Sequence, residues 1–396
     1  MSIQTELARL KNAKAAIQTA IEGKGVTVPS GTLLDGMAAL IDSIETGGGG
    51  SVNPTATAKA VNFRDYDGTI LYSYTVDEAA ALTELPPLPE HSGLVCQGWN
   101  WSLDDIKAMG RAVEVGAMYT TDDGKTRIYI HLEDGRTSPM LGCCPNGTVT
   151  VDWGDGTEPD TLTGTSTSTV RWTPTHEYSA AGDYVIKLSV DGSVGFKGVN
   201  STNEYSCLLR YSSGADTRNQ FYQNAIKKVE IGDSVTSFKD YALNSCHALS
   251  SITIPKSVDL SFYAIFSDCR SLKSVTIPDG VTSINSYTFY NCRSLTSVAI
   301  PDGVTSIGGY VFYTCYSLTP VIIPNGVTSI SSYTFYNCPG IRYYDFTHHT
   351  AVPTLSSTNA FYNIAADCEI RVPAALADKW KAATNWATYA NKIVGV

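Results

Sequence analysis

Ile254-Pro255, Ile277-Pro278, Ile300-Pro301 and Ile323-Pro324 stand 23 residues apart, and so do Phe266, Phe289, Phe312 and Phe335. A period of this length marks a repeat architecture, in which each unit buries its apolar side only against its neighbours. The clearest unit runs from Leu272 to Cys292. Its Val275 and Ile277 alternate as a short strand, with Thr276 facing out. Pro278 ends that strand because it has no N–H to give to a ladder. Asp279-Gly280 turns the chain, and Val281, Ile284, Phe289, Cys292 and the next Leu295 return inward.

Five of the ten cysteines, Cys246, Cys269, Cys292, Cys315 and Cys338, share the period. A thiol recurring at one place in every coil is a small core residue rather than part of a disulfide framework. Cys143-Cys144 are adjacent and unsuited to pairing with each other, and no Cys/His spacing suggests zinc.

The pattern Leu-x-x-Val-x-Ile-Pro-x-x-Val-x-x-Ile followed by Phe-x-x-Cys resembles the BspA-type leucine-rich repeats over residues 226–341. The first units drift: Gly232 follows Ile231, Leu243 replaces Phe, and Asp259-Leu260-Ser261 stands where others have Thr-Ser-Ile. Atypical terminal repeats are expected of caps. After Gly340 the period breaks. Val352-Pro353-Thr354-Leu355 and Phe361 suggest one last irregular coil, residues 368–372 a strand, and residues 374–389, bearing Trp380 and Trp386, a cap. Outward positions form columns: Tyr287, Tyr310 and Tyr333; Tyr290, Tyr313 and Tyr336; and Arg270, Arg293 and Tyr316. Rigid amphipathic rings suit carbohydrate or protein recognition. They equally suit shielding of the coil beneath. The eight candidate contact residues are Tyr287, Tyr290, Arg293, Tyr310, Tyr313, Tyr316, Tyr333 and Tyr336.

Upstream, residues 2–22 carry Ile3, Leu7, Leu10, Ile17 and Ile21 at helical spacing, with Lys14 interrupting a heptad-like seam. A second helix is expected over 31–45. Helices this short need a partner face, either each other or an oligomerisation or docking surface. Gly47-Gly48-Gly49-Gly50-Ser51 reads as a flexible linker.

Residues 58–140 read as a small α/β unit. Val61 to Tyr66 alternates, Asp67-Gly68 turns, and Ile70 to Tyr74 returns. A short helix is expected at 102–109, and a hairpin about Asp122-Asp123-Gly124 between 117–121 and 127–132. The run from Val61 to Gly98-Trp99 resembles small β-grasp-like repeats of bacterial and phage surface proteins. Further on, Trp153-Gly154-Asp155-Gly156-Thr157, His176-Glu177-Tyr178 and Gly182-Asp183-Tyr184 follow in order. This series resembles the PKD family of immunoglobulin-like β-sandwiches, which implies a non-catalytic spacer or binding module. Asp152 and Asp155 fail the spacing of a calcium loop; Asp155 is expected to close an Asx turn.

The expected organisation is therefore multidomain and mainly β. It comprises a helical module (1–46), a Gly-rich linker (47–57), a β-grasp-like α/β unit (58–140), a PKD-like sandwich (141–200), a leucine-rich-repeat solenoid (201–373) and a C-terminal cap (374–396).

The net charge of −10 argues against sequence-independent nucleic-acid binding, and no apolar run is long enough to insert in a membrane. The search for chemistry finds no GxSxG, HExxH, Walker A or GxGxxG pattern. No cofactor, metal site or enzymatic activity is expected. The segment Val28-Pro29-Ser30-Gly31-Thr32 with Leu34 and Met37 looks like the start of certain bacteriophage tail proteins. That resemblance implies a virion protein, a tail fibre or receptor-binding protein. Its N-terminal helices would dock on other virion proteins or form a homo-oligomer such as a trimer, and its repeats would meet a host glycan or protein. The start Met1-Ser2-Ile3-Gln4 lacks the apolar core of a secretion signal, which fits assembly in a bacterial host cytoplasm. A capsid-decorating fibre and a bacterial surface adhesin are the alternatives.

Overall fold

The computed structural model describes residues 60–109, 113–167, 169–197, 208–211, 222–319 and 321–396. The expected N-terminal helices, with Ile3, Leu7, Leu10, Ile17 and Ile21, and the glycine linker lie outside the described residues.

Four strands open the described chain: β1 (Ala60–Arg64), β2 (Ile70–Thr75), β3 (Leu94–Trp99) and β4 (Val113–Thr121). Their order is β2-β1-β4-β3, with β1 and β4 parallel at the centre and antiparallel neighbours outside. Asp67 closes the β1–β2 turn by accepting from the Thr69 N–H, and Gly68 takes φ 91°. Helix α1 (Val76–Ala80) starts on a capping box in which Thr75 and Glu78 each accept the other's backbone N–H. Helix α2 (Leu103–Met109) falls where a helix was expected. Phe63, Val115, Trp99 and Tyr119 fill the core between them.

The hairpin expected at Asp122-Asp123-Gly124 does not form. The turn is present, but β4 pairs with β1 over residues 113–116 and with β3 over residues 117–121, and not with the strand after the turn. The next strand, β5 (Thr126–Leu132), pairs antiparallel with two strands further along, β9 (Gly182–Phe196) and β11 (Ile226–Glu230). Its buried residues alternate, Ile128, Ile130 and Leu132 facing a different core.

That second sheet is built from β5, β6 (Pro139–Asp152), β7 (Asp160–Thr165), β8 (Arg171–Trp172), β9 (Gly182–Phe196), β10 (Leu209–Tyr211) and β11 (Ile226–Glu230). The long β6 changes partners along its length, pairing β10 and β8 near its start and β7 and β9 beyond. The sheet does not stop at a domain boundary. Its order runs β10-β6-β9-β5-β11 and on into Ser251–Thr253, so β11 is at once a sheet strand and the first rung of the repeats.

From β11 the chain winds as a β-solenoid of coils about 23 residues long. One strip of parallel rungs contains β11, Ser251–Thr253, Ser274–Thr276, Ser297–Ala299, Val321–Ile322, Tyr343–Asp345, Glu369–Val372 and finally Ile393–Gly395. A second parallel strip joins Ser283–Ile284, Ser306–Ile307, Ser329–Ile330 and Thr354–Leu355. After the four regular rungs a proline carbonyl accepts the N–H three residues on: Val258 to Pro255, Val281 to Pro278, Val304 to Pro301 and Val327 to Pro324, at 3.0–3.2 Å. The buried phenylalanines stack through the centre, Phe266, Phe289, Phe312, Phe335 and Phe361 lying 5.2–5.6 Å apart.

The periodic cysteines sit in that core as expected. Each thiol from Cys269 to Cys338 donates to a backbone carbonyl of the preceding coil: Leu243, Phe266, Phe289 and Phe312, at 2.9–3.2 Å. At the far end, helix α3 (Ala377–Ala382) and the turn after it bring Trp380 and Trp386 against Phe346 and Phe361. Trp386 donates its indole N–H to Pro353.

From Lys59 to Val396 these parts form one compact unit. The first sheet packs on the rung strip. Gly116 of β4 lies so close to Thr276 that a Cβ there would sit 2.3 Å from its Oγ1, and Gly68 approaches Ser274 in the same way. Asn100 bridges the two, accepting from the Gly116 N–H at 2.7 Å and donating to the Ile277 carbonyl at 3.4 Å. Thr276 does point away from its coil, but it is buried all the same, under β4.

Candidate functional site

The first sheet takes up the outer side of the early rungs. Thr253, Thr276 and Ala299, the outward residues of three successive rungs, are all buried. On the other side, each coil makes its return turn through the tyrosine segment, and the columns expected there are present. Tyr287, Tyr310 and Tyr333 stack at 4.7 Å with planes 9° and 14° from parallel. Tyr290, Tyr313 and Tyr336 stack at 5.0 and 4.7 Å, at 11° and 5°. The columns also touch each other in every coil, as in Tyr310 with Tyr313 at 5.7 Å. The result is one continuous aromatic slab.

The slab is longer than the spacing suggested. Tyr241 and Tyr263 extend the first column at 5.3 and 5.2 Å, and Tyr362 extends the second at 5.0 Å. Reading at a fixed 23 missed them because Tyr263 is 24 residues before Tyr287 and Tyr362 is 26 after Tyr336. The motif Phe361-Tyr362-Asn363, echoing Phe335-Tyr336-Asn337, was the available signal.

The third column is mixed. Arg293 lies 5.7 Å from the Tyr316 ring centre as a cation–π pair and donates to Asn291. Arg270 turns instead to Asp268. Beside the rings runs a polar ladder in which Asn291 donates to Asp268, Thr314 to Asn291 and Asn363 to Asn337.

The backbone beneath is unusual. Each coil turns through two left-handed residues, for instance Tyr287 and Asn291, Tyr310 and Thr314, and Tyr333 and Asn337, all at φ 57–63°. Asn and Asp favour that conformation, but for a bulky side chain it costs roughly 1–2 kcal/mol. Tyrosine is not what the backbone would select there; stacking with the neighbouring coils holds it.

Stacking also affects the phenols. Burial and then the neighbouring phenols raise Tyr310 and Tyr313 above the ordinary tyrosine value. The hydroxyls of Tyr333 and Tyr316 accept from Asn359 and Asn337.

A separate cluster surrounds Trp153. His176 stacks on its indole at 4.5 Å and reaches Asp155 at 2.8 Å, while Tyr178 donates to the Trp153 carbonyl. Asp155 also accepts from the Thr157 N–H and hydroxyl, the Asx turn expected of it. Burial works to raise its carboxyl, but the bonds from Thr157 and His176 outweigh this and hold it below the usual range. Both oxygens are thus committed within the chain. His349, which follows His348 in the sequence, is buried with Nε2 3.3 Å from the Ile323 carbonyl. Among the described residues no group of three His, Cys, Asp or Glu could hold a metal, and no helix is long and apolar enough to cross a membrane.

The coil geometry, with its proline-ended rungs and buried Phe-x-x-Cys, agrees with the family comparison. Residues 217–342 match the BspA type leucine rich repeat region in six copies. Three solved structures are similar to part of the chain. A leucine-rich repeat protein from Bacteroides ovatus is 23% identical over 37% of this chain and 37% of that one, with a TM-score of 0.33. The T. pallidum leucine rich repeat protein is 24% identical over 38% and 63%, with a TM-score of 0.28. A leucine rich cell surface protein from Faecalibacterium prausnitzii is 19% identical over 47% and 86%, with a TM-score of 0.22. A search of curated proteins gives no match.

Proposed function

We propose that this chain is an adhesin-like display protein that uses the tyrosine side of its BspA-type solenoid to hold a macromolecular partner at a surface, without catalysis of its own. One observation carries the reading. The early rungs are covered by the chain's own first sheet at Ser274 and Thr276, while the turns of the coils keep tyrosines in a backbone conformation that disfavours them. A side retained only to shield the core would not need a bulky residue at that point.

The more specific setting is a virion, where the chain would serve as a tail fibre or receptor-binding protein docked through its N-terminal segment. The resemblance of Val28 to Met37 to phage tail proteins supports it, as does the series of β-grasp-like and PKD-like motifs before the repeats. A bacterial surface adhesin would use the same tyrosine side and is the second reading.

The test is binding of the labelled full chain to bacterial cells, beside a Tyr310→Ser/Tyr313→Ser variant. Loss of binding in the variant is expected, and undiminished binding overturns the assignment of the face. Immuno-electron microscopy then separates the settings, by label on phage particles or on the cell envelope.

A further inference from the structure

The stacking that builds the tyrosine face also restricts what it can bind. A ring within a column has neighbours on both sides: Tyr313 lies between Tyr290 and Tyr336, nearly parallel to each. It offers no ring face to a ligand. It turns outward an edge and a phenol hydroxyl, and among the described residues nothing in the chain hydrogen-bonds the hydroxyls of Tyr310 and Tyr313. These groups recur once per coil at a ring spacing of 4.7–5.0 Å, which is close to the advance of one pyranose unit in an extended polysaccharide.

The second constraint is charge. Residues 308–318, 331–341 and 354–366, which form three consecutive turns of this side, contain no Asp, Glu, Lys, Arg or His. They are rich in Tyr, Ser, Thr, Asn and Gly, the set that antibody combining sites use for rigid contact and adaptable hydrogen bonding. An anionic polymer would call for a row of cations, and a cationic one for carboxylates. A peptide strand added by backbone pairing would need an open sheet edge, and these segments are turns.

The third observation is the end of the second column. Tyr362 has Tyr336 against one face at 5.0 Å and is 53% exposed beyond that contact. An exposed phenol at the end of a stack is suited to packing against the C–H face of a sugar ring.

We infer that the tyrosine face is a binding site for an extended, uncharged polysaccharide laid along the solenoid axis, advancing one sugar per coil and stacking on Tyr362. This rests on the recognition role proposed above and names the ligand class for it. Phenol hydroxyls and the amides of Asn337 and Asn363, which reach the surface beside the rings, supply hydrogen bonds to sugar hydroxyls. The absence of charge makes binding insensitive to salt.

Affinity electrophoresis of the full chain tests this, with native gels containing dextran, yeast mannan, a mixed-linkage β-glucan or arabinogalactan, and polygalacturonate as the anionic control. At least one neutral polymer should retard the protein, equally at low and high salt. Oligosaccharides of that polymer should bind more tightly with each added sugar up to about four and then level off, one per stacked coil. Tyr362→Ala should weaken binding tenfold or more, while Tyr362→Phe, which keeps the ring, should bind within twofold of the parent. Retardation by none of the neutral polymers, or by polygalacturonate alone, overturns the inference. If cell binding is still lost in the Tyr310→Ser/Tyr313→Ser variant in that case, the recognition role stands with a protein as its partner.

Discussion

Phe196, at the end of β9, stacks on Phe238 of the first repeat with ring centroids 5.8 Å apart and planes 21° from parallel. Phe238 meets Phe266 edge-on at 6.1 Å, and from there the phenylalanine stack runs on to Phe361. The second sheet is thus the N-terminal end of the solenoid core. In a stack held by nearest neighbours, losing the end contact frays the adjoining coils first. Phe196→Ala should cost about 3–5 kcal/mol. Hydrogen exchange should show amide protection falling in Ile226–Glu230 and Val235–Phe238 before it falls at Ser329–Ile330. Uniform loss, or none, would contradict a capping role.

The contact between β4 and the rung strip gives a second prediction. Gly116 is needed because Thr276 occupies the space a side chain would take. Gly116→Val should force the first sheet off the solenoid or strain both, at about 1–3 kcal/mol or more. Thr276→Gly alone should be mild, and in the double variant it should recover part of the loss. A double-mutant cycle by urea denaturation checks this: strictly additive effects would mean that the two residues do not compete for one space.

These two contacts show where sequence reasoning reached and where it stopped. The inward phenylalanines and thiols were legible because a strict period fixes which residue meets its own copy in the next coil, as Phe289 meets Phe312. The Asp122-Asp123-Gly124 turn was legible too, but the partner of β5 was not. That strand pairs with β9 and β11, strands from later in the chain, a tertiary fact with no local signal. Thr276 read correctly as pointing out of its coil and yet is buried, because the sequence does not say that Gly116 lies above it. The tyrosine columns were visible at the regular spacing, whereas Tyr263 and Tyr362 were hidden by a one-residue and a three-residue change of period.

Alkaline pH should destabilise both the second sheet and the solenoid. Burial pushes the thiols of Cys144 and Cys368 up to about 11, those of Cys143 and Cys338 up to about 12, and the Tyr263 phenol up to about 12. In the unfolded chain thiols ionise near roughly pH 8.5 and phenols near roughly 10. Between those values and the folded ones the unfolded state binds fewer protons, so stability falls as pH rises. The melting temperature should hold up to about pH 8 and then decline continuously toward about pH 12. Reaction with a thiol reagent should track unfolding rather than pH alone. A melting temperature flat to pH 11 would show that these groups are not held protonated by the fold.

The left-handed tyrosines allow structure and recognition to be separated at one position. At Tyr310, φ is 58° and the ring stacks on Tyr287 and Tyr333. Removing the ring loses three aromatic contacts, to Tyr287, Tyr333 and Tyr313, worth about 0.5–1.5 kcal/mol each. Glycine relieves a backbone penalty of roughly 1–2 kcal/mol that alanine retains. Tyr310→Gly should therefore be more stable than Tyr310→Ala by about 1 kcal/mol, though below the parent, reversing the order found inside ordinary helices and strands. Both variants should lose partner binding alike, since neither keeps the ring edge and hydroxyl. If the alanine variant were the more stable, the turn would not demand a left-handed residue. If the glycine variant kept both stability and binding, the column would be dispensable, and recognition would have to reside elsewhere on the chain.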